Sequence, residues 1–188
     1  MTIDKIKDIL KERLSEKRYM HSIGVAEEAE RLAVKYDADK EKAYLAGLVH
    51  DCAKEIKNEE AKSLLKDKYA INTDMVTLNT HKLLHGPLGA CIMQYEFGIY
   101  DVEIFDAVKY HTTAKADMNL LTKILYIADY IEPNRDFNGV EELRKIAYED
   151  IDAAILIGLD WTIEELIEKK SMIHPDTVRA RNFLICER

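Results

Sequence analysis

Proline and glycine are scarce, three and seven in 188 residues, which argues against a turn-rich architecture and for long helices with short connections. Cysteine is scarce too. Cys52, Cys91 and Cys186 are odd in number, widely separated and form no C-x-x-C pair, so they read as small core residues rather than a disulfide framework. No run approaches 18 apolar residues, and Met1–Lys7 has no apolar leader core, so a membrane span is not expected and the cytoplasm is the expected location. Positive charge is in deficit, with a net charge of −8, which does not invite nucleic acid. A polyanionic small molecule would then need local cations, namely bound metal and a few chosen Lys and Arg. Apolar residues at 47% and charged residues at 33% suit one globular domain spanning 1–188.

What the chain does have is helical periodicity almost throughout. Thr2 is placed to cap a first helix through Leu14. A second runs from His21 to Tyr36, and a third, capped by Asp39, delivers His50 and Asp51 at its end. Asn58 is expected to cap a short helix around Ala61, and the polar stretch 67–80 reads as a mobile loop or lid. His85-Gly86-Pro87 opens the next helix, Asp101 caps one that leads to His111, and Asn119 caps the very apolar 120–131. Three more follow, over 140–148, 151–170 and 176–186. With no strand-like alternation or internal repeat, the expectation is an all-α, single-domain bundle of about nine or ten helices.

Four of the six histidines and two aspartates form an ordered set: His21, His50-Asp51, His85, His111 and Asp129. Imidazole and carboxylate donors suit iron, manganese or zinc. A His-Asp doublet alone carries little, since a chain of this composition holds about 0.5 such pairs by chance. The ordered set and its flanks carry the reading. Asp129 interrupts the run Ile124–Ala128 and should face the interior, where a cation, or a salt bridge to Arg135, makes a buried carboxylate tolerable. His21 sits mid-helix on an apolar face, where a hydrogen-bonded core histidine is the alternative to a ligand. Adjacent helical residues point about 100° apart, so His50 and Asp51 suit a terminal and a bridging ligand better than two ligands on one face. His85 and His111 lie at helix ends and serve equally well as metal ligands or phosphate contacts. Lys54 lies one turn beyond the doublet, Arg18 shares a helix face with His21, and Arg135 follows Asp129. Each can meet phosphate or remain a surface cation.

R-Y-M-H-S at 18–22, A-G-L-V-H-D-C-A-K at 46–54, L-L-H-G-P-L-G-A at 83–90, K-Y-H-T-T at 109–113, I-A-D-Y-I-E-P-N-R at 127–135 and I-H-P-D-T-V-R-A-R-N at 173–182 resemble the YqeK branch of the HD superfamily of metal-dependent phosphohydrolases. The resemblance implies an HD-type fold and symmetrical cleavage of diadenosine tetraphosphate into two ADP. It implies iron on His21, His50, Asp51 and Asp129, as one ion or two, with manganese or zinc still open. His85 and His111 would complete a second site bridged by Asp51, or else contact substrate. Arg18, Lys54, Thr112 and Arg135 would hold phosphates, with His174, Thr177 and Arg179 near the nucleotide. Asp51, Lys54 and Asp129 are the expected catalytic groups, with metal-bound hydroxide as the nucleophile. Ala114, where the family pattern has glycine, and Asn138, where it has proline, depart from it beside the motifs.

The partner expected is a dinucleoside polyphosphate or ADP. No residue determines base preference or oligomeric state, a homodimer being one option. Rival readings are an HD phosphohydrolase of a nucleoside monophosphate or deoxynucleoside triphosphate, and a non-catalytic nucleotide sensor. The cyclic-dinucleotide branch is disfavoured because neither H-H-E nor G-Y-P occurs. A purely structural helical module would leave Asp129 unexplained.

Overall fold

The structure, a computed structural model, describes residues 1–187. Among them are eleven α-helices and no strand: α1 (Ile3–Arg13), α2 (Glu16–Lys35), α3 (Lys40–Val49), α4 (Asn58–Ser63), α5 (Met75–Asn79), α6 (His85–Tyr95), α7 (Val102–Tyr110), α8 (Leu120–Ile131), α9 (Val140–Glu149), α10 (Ile151–Glu168) and α11 (Pro175–Cys186). Most begin at the expected caps. Asp39 Oδ1 accepts from the amides of Glu41 and Lys42, Asp101 from those of Glu103 and Ile104, and Asn119 from that of Thr122.

Three expectations need correction. Asn58 does not cap α4. It is the first helical residue, and Lys57 precedes it with no side-chain cap bond. The stretch 67–80 is not simply a loop: a π-helical turn, Leu64–Lys68, opens it and α5 closes it. Asp74 nucleates α5 by accepting from the Thr77 amide at 3.0 Å and its hydroxyl at 2.6 Å, which accounts for the eleventh helix. Cys186 is exposed, whereas Cys52 and Cys91 are core residues as expected. Burial pushes the Cys52 thiol up to about 12.

The centre is α8, apolar on nearly every side, with Leu121, Ile124, Leu125, Ile127, Ala128 and Ile131 buried. Helices α2, α3, α7, α9 and α10 pack around it. Two glycines set the spacing that matters for the site. A Cβ on Gly47 of α3 would come within 2.6 Å of Ala26 Cα on α2, and one on Gly86 of α6 within 2.8 Å of the Lys109 carbonyl oxygen on α7. Only hydrogen fits at either contact, so α2 and α3, and likewise α6 and α7, lie almost backbone to backbone. Ala114, in the loop after α7, is buried with φ of +57°, a conformation glycine takes without steric cost. No helix among the described residues is long and apolar enough to cross a membrane.

Candidate metal centre

The close approach of α2 to α3 brings His21 and His50 to one place, and that of α6 to α7 does the same for His85 and His111. Asp51 lies between the two pairs. Its Oδ2 faces His21 Nε2 at 3.7 Å and His50 Nε2 at 3.4 Å, while its Oδ1 faces His85 Nε2 at 3.0 Å and His111 Nε2 at 3.6 Å. Asp129, from α8, closes the first group with Oδ1 3.0 Å from His21 Nε2. Two three-residue groups could hold an ion, His21 with His50 and Asp129, and His50 with Asp51 and His111.

The spacing suits metal ligation. Ligands bound at about 2.0–2.2 Å stand roughly 3.0–3.6 Å from their neighbours in octahedral or tetrahedral geometry. His21 Nε2, His50 Nε2 and Asp51 Oδ1 are buried without a hydrogen-bond partner, although all three converge on the centre. Such atoms are costly unless something binds there.

The imidazoles are oriented from behind. His50 Nδ1 lies 2.7 Å from the Gly47 carbonyl oxygen, His111 Nδ1 lies 2.7 Å from that of Val108, and His21 Nδ1 lies 3.1 Å from Glu132 Oε1. An N–H donated backwards leaves each Nε2 lone pair facing the centre. Glu132 is a residue that the sequence reading left without a role. It is 2% exposed and is held in turn by the Asn134 amide at 2.7 Å and side chain at 2.9 Å. Arg144 of α9 was also missed. It donates to the carbonyls of Ile131, Glu132 and Arg135, clamping the turn that carries these groups. The one available signal was a Glu immediately after an apolar helix and immediately before Pro133.

Of the two alternatives for Asp129, the salt bridge is present: Arg135 Nη2 donates to its Oδ1 at 2.6 Å. Burial pushes the Asp129 carboxyl up, but the His21 and His50 imidazoles and the Arg135 guanidinium around it hold it well below the usual range. Burial likewise opposes ionisation of Asp51, and its surrounding imidazoles prevail. Burial drives His85 down to about 3, so its imidazole is neutral and ligand-ready at neutral pH. Burial also lowers the Lys54 ammonium, against the pull of Asp51 and Asp129.

The expected phosphate contacts divide. Arg18 Nη1 donates to Asp51 Oδ2 at 2.7 Å, and Lys54 Nζ lies 3.1 Å from His85 Nε2. Lys54, Thr112, Arg135, His174 and Thr177 line a cavity of about 660 Å³ that also opens onto His111 and Asp129. His174 caps α11 through Nδ1, and its Nε2 reaches Asp74 Oδ2 at 3.2 Å, tying α11 to the start of α5. Thr177 is mostly committed to the fold, its hydroxyl donating to the Thr113 carbonyl at 2.9 Å. Arg179 is not brought to the site. It pairs with Asp176 and its side chain is 70% exposed, because the helical turn at the start of α11 points it outward.

Residues 18–134 match the HD domain family. The chain is 41% identical to a protein of Halalkalibacterium halodurans named bis(5'-nucleosyl)-tetraphosphatase, symmetrical, covering 100% of this chain and 99% of that one. A protein of the same name from Bacillus subtilis is 39% identical, over 94% of each chain. A crystal structure from Clostridium acetobutylicum, described as a predicted HD superfamily hydrolase involved in NAD metabolism, superposes with a TM-score of 0.97 at 44% identity, covering 100% of this chain and 99% of that one.

Proposed function

Since the chain belongs to the HD domain family, we propose that it is a metal-dependent hydrolase cleaving diadenosine tetraphosphate symmetrically into two ADP. The observation that carries the reading is the two-sided carboxylate of Asp51, one oxygen toward His21 and His50 and the other toward His85 and His111. With Asp129, these residues would hold two divalent ions. The donor set suits iron, manganese or zinc alike, and iron is the ion that the family resemblance implies. Such ions, when bound, supply Lewis acidity and lower the pKa of water.

The chain's own groups do the remainder. Asp51 and Asp129 hold their negative charge throughout the neutral range. Lys54 and Arg135 border the cavity beside them and would neutralise charge on the anhydride oxygens, Arg135 through its forked guanidinium. Arg18 and Thr112 would steady the flanking phosphates. ADP is a good leaving group, so no dedicated general acid is needed.

The test is chromatography of the products from diadenosine tetraphosphate with reduced iron, with manganese or zinc, and with chelator. ADP as the sole product, lost with chelator and in Asp51→Ala, is the expected result. AMP plus ATP would overturn the point of attack. No turnover by metal-loaded protein would favour another nucleotide substrate or a sensor.

A further inference from the structure

Three Lys or Arg side chains line the cavity beside the metal centre, and two of them are already engaged. Lys54 Nζ lies 3.7 Å from Asp51 Oδ1, and Arg135 Nη2 donates to Asp129 Oδ1. The third is Lys82. It is exposed, and its side chain makes no hydrogen bond or ion pair among the described residues. Its charge still reaches Glu165 of α10, on the lining of the same cavity. The Glu165 carboxyl is held below its usual range first by its bond to Lys169 and, in smaller part, by Lys82. Phe137 and Trp161, which also line the cavity and meet edge to face, bring no charge.

The fold holds Lys82 in place from both sides. Asp74, at the start of α5, is tied to His174 at the start of α11. Beyond α5 the Leu83 amide donates to the Thr80 carbonyl at 2.9 Å, closing a 3-10 turn, His81–Leu83, that runs into α6. Lys82 therefore stands about one helical turn ahead of His85, on the same face, and His85 points its Nε2 at Asp51. Thr80 lines the same cavity, and its hydroxyl is buried with no hydrogen-bond partner. A polar group in that state is costly unless a ligand supplies the partner.

We propose that Lys82, with the Thr80 hydroxyl from the same strip, binds the phosphates on the far side of the bond broken, those of the departing ADP. This rests on the phosphohydrolase reading and adds the residue that separates substrate from product: four phosphates reach Lys82, and the two of ADP at the metal centre do not. Every phosphate of the chain is ionised at neutral pH. Lys54 and Arg135 stand beside the centre, so the outgoing phosphates lack a cation of their own on a protein of net charge −8. An ammonium on a flexible stem suits them, because it acts as a point charge and needs no fixed fork. Thr80 has an extended backbone, φ −118° and ψ 100°, in which a change of χ1 well turns its hydroxyl to a ligand.

Calorimetry on the metal-loaded enzyme tests this with two probes. One is ADP, and the other is diadenosine tetraphosphate with methylene in place of its central bridging oxygen, so that symmetrical cleavage is blocked. Lys82→Met, with metal content unchanged, should weaken binding of the analogue about tenfold, the scale of one charge-assisted contact, and leave ADP unmoved. Lys82→Arg should retain most of the affinity, and Thr80→Val should weaken the analogue about threefold. Equal weakening of both probes, an unmoved analogue, or failure of the wild-type enzyme to bind it would each overturn the proposal. An unmoved Thr80→Val alone would strike Thr80 from it. Lys82-dependent binding by enzyme that leaves diadenosine tetraphosphate intact would sink the activity and keep the phosphate contact. Cleavage to ADP, with analogue affinity unchanged in Lys82→Met, would do the reverse.

Discussion

Glu132 stands behind His21 rather than in the cage, and its carboxylate determines which imidazole nitrogen faces the centre. Glu132→Gln keeps the shape but weakens that restraint, and metal affinity should fall about 10- to 100-fold. Chelator competition measures it, and unchanged affinity would remove Glu132 from the site. His85 makes a prediction about pH. Its folded pKa of about 3 lies below the ordinary value of 6.5, so the unfolded chain takes up a proton that the folded chain refuses. Its contribution to stability is therefore complete above the ordinary value and is lost as pH falls from there toward 3. Metal-free protein should lose up to about 1.4 kcal/mol per pH unit in that window relative to His85→Gln. Urea unfolding at pH 7.5 and pH 5 would show parallel losses in the two proteins if the idea is wrong. The six candidate ligands were legible in the sequence because residue type and spacing carry them. The role of Glu132 was not, because its partner lies 111 residues away.

At the scale of elements, Gly47 and Gly86 decide whether the helices that carry the ligands can approach. Gly47→Ala would press a methyl group against Ala26 Cα and push α2 from α3. It should destabilise by about 1–3 kcal/mol and lower metal stoichiometry with it. Denaturant midpoints and metal analysis on the same preparation test this, and wild-type values in both would show that the contact is slack. Helix starts were legible where a cap acts on its own next turn, as at Asp39, Asp101 and Asn119. Helix α5 was not. Only five residues long, it gives no periodic signal, and Asp74 at its start is tied to His174, 100 residues on.

For the whole molecule, candidate ligands from α2, α6 and α8 and from the ends of α3 and α7 meet at one centre, so an ion bound there would tie together helices far apart in the chain. An ion present at a hundred times its dissociation constant adds about 2.7 kcal/mol to stability. Chelator should therefore lower the melting temperature of wild-type protein and leave Asp51→Ala unmoved. An equal shift in both would remove Asp51 from the ligands. The amino-acid order alone determined the all-α class and most helix starts, because capping and the 3.6-residue period act over a few residues, and it named the six side chains that meet at the centre. Tertiary packing decided which oxygen of Asp51 serves which histidine pair, that Glu132 backs His21, that Arg179 stays outside, and that Phe137 and Trp161 meet beside the centre. Those relations join residues tens to more than a hundred positions apart, or turn on which way a helix faces, and neither is written in local pattern.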